Sequence, residues 1–151
     1  MEFHIYTDGA CKGNPGNGGY AYKIYDELGE TWVQSSGFER ETTNNRMELT
    51  AAIEALRFIE NNYKNTIYPG AIIIYSDSSY LVNCFNEEWI DKWIENGWQT
   101  YEKKDVLNKE LWEILYQLVK KTNANFQKVS RKDPKIKEVD IEAKTASRKL
   151  S

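Results

Sequence analysis

A chain of 151 residues, 40% of them hydrophobic, has apolar side chains for one buried core and too few residues for two, so residues 1–151 are expected to form a single domain. The formal net charge of −3 excludes a global basic field of the kind that draws polyanions, and two cysteines without metal-type spacing, Cys11 and Cys84, exclude a disulfide framework. No apolar run approaches the roughly 18 residues of a membrane span, and no basic-apolar leader follows Met1, so a soluble, cytoplasmic protein is expected, with no membrane partner.

In chain order, Glu2 to Asp8 alternates like a strand and a Gly-rich loop is expected up to Gly19. Tyr20 to Tyr25 and Thr31 to Phe38 read as two more strands, joined by a turn at Glu27-Leu28-Gly29 into an antiparallel meander. Asn44 to Asn61 has helical periodicity: Arg46, Thr50, Glu54, Arg57 and Asn61 fall on one face, and Met47, Ala51, Ala55, Phe58 and Ile59 on the other. Pro69-Gly70 marks a turn, and AIIIYSD reads as a central parallel strand buried on both faces. SSYLVNCFNEEW reads as one short helix, and NKELWEILYQLVKK as an amphipathic helix with Asn108 at its N-cap. ANFQKV is a last strand, and Lys137 to Lys149 a closing helix with Val139, Ala143, Ala146 and Leu150 on one side. The order is that of an α/β fold.

Three acids stand out. Asp8 and Asp77 each end a strand, where open α/β sheets place their chemistry. Each also has a plain structural reading, Asp8 as a turn residue and Asp77 as the N-cap of the helix behind it. Glu48 is harder to explain structurally, because it falls among the apolar residues of its helix, where an ionised carboxylate costs several kcal/mol unless something positive meets it. Three converging carboxylates would repel one another, and a divalent cation removes that repulsion. A set of hard oxygen ligands suits Mg²⁺ or Mn²⁺, and two such ions can activate a water and stabilise the leaving oxygen of a phosphodiester.

At this point the chain resembles a known family. YTDGACKGNPGNGGYAY, ETTNNRMELTAAIEAL, YSDSSYLV and WIENGWQTYEKKDVLNKELW occur in the order and spacing of type 1 ribonuclease H, the bacterial kind with a protruding helical handle. The resemblance implies a five-stranded mixed sheet flanked by helices, a monomer, and Mg²⁺-dependent hydrolysis of the RNA strand of RNA–DNA hybrids, with Mn²⁺ as a substitute. It implies that Asp8, Glu48 and Asp77 are metal ligands and that the fourth family carboxylate, at the start of the closing helix, is Asp140. Cys11, Asn14, Asn44 and Asn45 resemble the family's groove residues, and Thr43 part of its pocket for a DNA phosphate. Backbone amides of a glycine loop and of a helix N-terminus are phosphate donors on physical grounds as well. Ordinary turn and capping chemistry is the competing reading of these five.

Two departures from the family matter. The handle region, Asn86 to Glu110, has four lysines against seven acids, whereas Phe126 to Ser151 has eight Lys or Arg against four acids. The loop before Asp140 reads VSRKDPKIKEVD and lacks the family's histidine: Ser130 takes its place and Arg131 or Lys132 could supply positive charge. The only histidine, His4, lies roughly 13 Å from Asp8 along its strand at about 3.3 Å per residue, and reads as a structural or surface residue. The favoured function is therefore an endonuclease slowed by the missing histidine. A hybrid-binding module with little catalysis is the alternative, and an integrase-like nuclease of the same fold is disfavoured by TTNNRMEL and the handle.

Overall fold

The computed structural model describes residues 2–62 and 70–150, without the side chain of Leu150. Five strands, β1 (Glu2–Gly13), β2 (Gly16–Tyr25), β3 (Thr31–Thr42), β4 (Ala71–Ser76) and β5 (Asn125–Lys128), form one sheet in the order β3-β2-β1-β4-β5. The first three run antiparallel as a meander, and β4 pairs parallel to both β1 and β5. The helices are α1 (Asn44–Asn62), α2 (Ser79–Asn86), α3 (Trp89–Glu95), α4 (Lys109–Thr122) and α5 (Pro134–Ser147), the last running into a 3₁₀ turn, Arg148–Leu150. This is the five-stranded mixed sheet flanked by helices that the resemblance implies.

The sheet separates two cores. On one face Ile5, Ile24, Ile72 and Ile74 pack with Leu49, Ile53 and Leu56 of α1 and Trp112 and Leu115 of α4. On the other, Ile136, Val139 and Ala143 of α5 cover Tyr6, Ala21 and Tyr25. Because α5 lies across β1, β2 and β3, β4 is buried on one face and only half-buried on the other, rather than on both as expected. Among the described residues no helix is long and apolar enough to cross a membrane.

The glycines do not make a loop. β1 runs on through Asp8 to Gly13, and the hairpin turns at Asn14-Pro15, whose peptide bond is cis. Glycine is used there because other elements come too close for a side chain. A Cβ at Gly9 would lie 2.5 Å from the Glu48 nitrogen, one at Gly18 would lie 2.4 Å from Thr42 Cγ2, and one at Gly19 would lie 2.1 Å from the Ala143 carbonyl oxygen. Gly9 thus lets α1 lie against β1, and Gly19 lets α5 lie against β2.

Other boundaries move for local reasons. β3 extends four residues beyond Phe38, to Thr42. The single helix expected over SSYLVNCFNEEW breaks into α2 and α3, with Glu88 left-handed at φ 59° between them. Asn108 does precede α4, but its backbone is left-handed and its side chain makes no capping bond; it accepts from Arg46 (3.2 Å) and donates to Tyr80 (3.3 Å). α5 begins three residues before Lys137, because Asp133 caps it through Lys135 N–H (2.8 Å) and Pro134 suits its first position. Thr50, placed on the polar face of α1, is buried, its hydroxyl donating to the Arg46 carbonyl. Trp93 packs against Trp112 and Trp98, tying the handle to the body. Pro69 of the expected Pro69-Gly70 turn, and the Leu150 side chain, lie outside what is described.

Gly19→Ala should therefore force α5 off the sheet. A loss of about 1–3 kcal/mol is expected, the scale of overpacking against atoms that cannot give, read by urea denaturation; a loss under a few tenths of a kcal/mol would contradict the close approach.

Candidate active site

The sheet's register brings two of the acids together. Pairing of β1 with β4 stops at Tyr6–Tyr75, and Asp8 and Asp77 each lie two residues further on, side by side where the parallel ladder ends. Ser76 Oγ accepts the Ser78 N–H (3.0 Å) and turns the chain at Asp77. The N-cap of α2 is Ser78, not Asp77, so the capping reading of Asp77 falls away. Glu48 arrives from α1 at the Gly9 contact, and the Gly9 N–H hydrogen-bonds its carboxylate. One carboxylate oxygen from each of Asp8, Glu48 and Asp77 lies within 4.8 Å of the others. Asp140, the seventh residue of α5 and not its beginning, hydrogen-bonds Asp8 from the other side.

These acids line an open cavity of about 330 Å³ together with Cys11, Asn44, Arg131 and Lys144. The Arg131 Nε stands 3.8 Å from Asp77 Oδ2, and Lys144 Nζ 3.0 Å from Asp140 Oδ2. Lys144 went unnoticed in the sequence, although its i, i+4 spacing from Asp140 was a readable signal. Gly9 was also missed; a glycine directly after a candidate ligand was its signal.

The remaining expected residues are largely engaged with the backbone. Thr43 caps α1, its Oγ1 accepting the Arg46 N–H (3.2 Å), and Asn14 Oδ1 accepts the Asn44 N–H (3.1 Å), which ties the hairpin tip to the helix. The Cys11 thiol donates to the Gly16 and Thr42 carbonyls, and burial pushes its pKa up, as for an unreactive thiol. Asn45 lies on the wall of a neighbouring cavity. Ser130 is exposed in a turn, accepting the Lys132 N–H (3.1 Å). His4 is half-buried and bonded to the Tyr75 hydroxyl (2.8 Å), away from the acids.

Burial first, then the Glu48 charge and the Asp140 hydrogen bond, push the Asp8 carboxyl far above its usual range. Burial also raises Glu48, against the hydrogen bond from Asp8. Burial raises Asp77 less, because Arg131 opposes it. The donor set fits a hard divalent cation: it is all oxygen, it is mutually repelling, and it leaves the buried Glu48 Oε2 without a hydrogen-bond partner among the described residues.

A family model for RNase H matches residues 1–147. The chain belongs to the ribonuclease H family. It is 47% identical over 125 residues to ribonuclease H of Chlorobium luteolum, covering 83% of this chain and 80% of the relative. It is 51% identical over 115 residues to that of Acetivibrio thermocellus, covering 76% and 71%. Among solved structures it resembles LC11-RNase H1 in complex with an RNA/DNA hybrid, at 27% identity and TM-score 0.79, covering 99% of both chains. It also resembles LC9-RNase H1, a type 1 RNase H with the type 2 active-site motif, at 25% identity and TM-score 0.81, covering 99% and 74%. As a ribonuclease H it is an endoribonuclease, of a family whose catalysis is generally metal-dependent.

The raised carboxyls set a pH dependence in metal-free buffer. Native Asp8 and Glu48 bind protons that the unfolded chain releases near pH 4. Stability is unpenalised below that pH and falls as pH rises toward the native values. Asp8→Asn, which removes one of the repelling charges, should flatten this slope and raise Tm at pH 8 in the presence of a chelator. Parallel Tm–pH curves for the two proteins would contradict the coupling.

Proposed function

We propose that this ribonuclease H cleaves the RNA strand of RNA–DNA hybrids by a two-metal-ion mechanism, with Asp8, Glu48, Asp77 and Asp140 as ligands of Mg²⁺ or Mn²⁺. The observation that carries the proposal is the convergence of three carboxylates on one point, one of them with a buried oxygen that has no hydrogen-bond partner among the described residues. The hybrid as substrate is supported by the LC11-RNase H1 complex, whose fold this chain shares. Two divalent cations would supply a nucleophilic water at neutral pH and offset charge developing on the scissile phosphate.

The chain's own groups do the rest. Asp8, Glu48 and Asp77, with Asp140 beside them, would hold the divalent cations, and the Gly9 N–H fixes the Glu48 carboxylate. Arg131, 3.8 Å from Asp77 and otherwise exposed, is placed to meet a phosphate oxygen entering the cavity. The Asn14–Asn44 bond and the Thr43 cap hold the helix start against the hairpin, so that Asn44, Asn45 and the Cys11 backbone present a fixed edge to the RNA minor groove. Neither Ser130 nor an always-charged arginine can carry a proton at neutral pH, and a positioned carrier is worth about 10² to 10⁴ in rate. The enzyme is accordingly slower than a histidine-bearing relative. We propose that it acts as a monomer.

Asp8→Asn, Glu48→Gln and Asp77→Asn should each abolish hybrid cleavage while the far-UV circular dichroism is unchanged. Near-normal turnover in any one removes that residue from the site. Ser130→His should raise turnover with Mg²⁺ and His4→Ala should leave it unchanged; the reverse pattern would place the proton carrier on the first strand.

A further inference from the structure

Next to the carboxylate cavity is a second one of about 400 Å³. The two share Asn44, Glu48, Asp77 and Arg131, so the Asp77 carboxylate stands between them. The far wall of the second is the start of α2, Ser78 to Tyr80, and the end of β5, Lys128 and Val129. Lys128 is held in place by the sheet: it pairs with Ser76, and the Val129 N–H donates to the Ser76 carbonyl (3.0 Å). Its charge reaches Asp77 and, with that of Arg131, opposes the effect of burial there.

Most cations near the site already have partners. Arg46 is bound to Glu110, Lys144 to Asp140, Lys23 to Glu138, and Arg131 to Asp77. Lys128 is exposed, and its ammonium makes no hydrogen bond or ion pair among the described residues. It is a point charge with three rotatable donors, lining a cavity that shares four wall residues with the one that holds the acids.

We infer that this second cavity is a subsite for the phosphate adjacent to the one being cleaved on the RNA strand, and that Lys128 holds it. The inference rests on the hybrid-cleavage reading. A strand of regularly spaced phosphates that places one at the carboxylates brings its neighbour to an adjoining cavity, and this one shares four wall residues with the first. A protein of net charge −3, with an excess of acids in its handle, has no global field to grip that strand and depends on local cations. The competing explanation is that β5 is an edge strand, where a lysine discourages strand pairing between molecules. That role needs no phosphate.

A chemical double-mutant cycle separates the two. RNA strands carrying a single neutral methylphosphonate at successive positions around the cleavage site are annealed to DNA. They are then cleaved by the wild type, Lys128→Ala and Lys128→Arg. At one position adjacent to the scissile phosphate, neutralisation should lower wild-type kcat/KM about tenfold, the size of one charge-assisted contact. The same substitution should lower kcat/KM less than twofold in Lys128→Ala, while Lys128→Arg follows the wild type. On the unmodified hybrid, Lys128→Ala should act through KM rather than kcat, and its log–log salt slope should be lower by roughly 0.7 to 0.9. Full wild-type sensitivity at every position in Lys128→Ala, or an unchanged kcat/KM on the unmodified hybrid, overturns the subsite while leaving the hydrolase reading intact. A wild type that cleaves no hybrid overturns both.

Discussion

The structure depends on a carboxylate held against backbone where a side chain cannot fit. Glu48 lies on the buried face of α1, and it reaches the sheet only because Gly9 has no Cβ to meet the helix. That contact sets the approach of α1 to β1 and places Glu48 beside Asp8. It also creates the cost that the site has to meet: burial raises the proton affinity of two neighbouring carboxyls, and a third stands within reach. Folding alone gains nothing from this arrangement, since burying like charges opposes stability. A cation offsets that cost, which is why the cluster reads as a ligand set.

The rest of the fold serves this point from different directions. The parallel ladder between β1 and β4 ends two residues before Asp8 and Asp77, leaving both at the same edge. On the opposite face Gly19 admits α5, which carries Asp140 and Lys144 to the same cavity. Four elements therefore meet at one place, each positioned by a separate local device: a ladder end, a tight turn at Ser76–Ser78, and two glycine contacts.

Much of this was legible in the sequence, for physical reasons. Hydrophobic periodicity exposed Glu48 as misplaced, because a period of 3.6 residues assigns a face regardless of the neighbours. The parallel strand AIIIYS was legible from its unbroken apolar run. The glycines misled, because a glycine that breaks a strand and one that admits a neighbouring helix look the same in one dimension; only Glu48 and Ala143 in space distinguish them. The start of α5 was hidden because charged residues, Lys135 and Lys137, flank its first apolar position, although Asp133-Pro134 carried the capping signal. Arg131 and Lys128 could be noticed in the sequence as charges, but their closeness to Asp77 depends on the β4–β5 register and the turn after it.

The central claim is that the acids form a divalent-cation site. Its most direct measurement is anomalous diffraction from crystals grown with Mn²⁺ and a hybrid carrying an uncleavable linkage. The account predicts Mn²⁺ peaks inside the cluster formed by the Asp8, Glu48 and Asp77 carboxylates. A map without density at Asp8, or with Mn²⁺ bound only elsewhere, would contradict it.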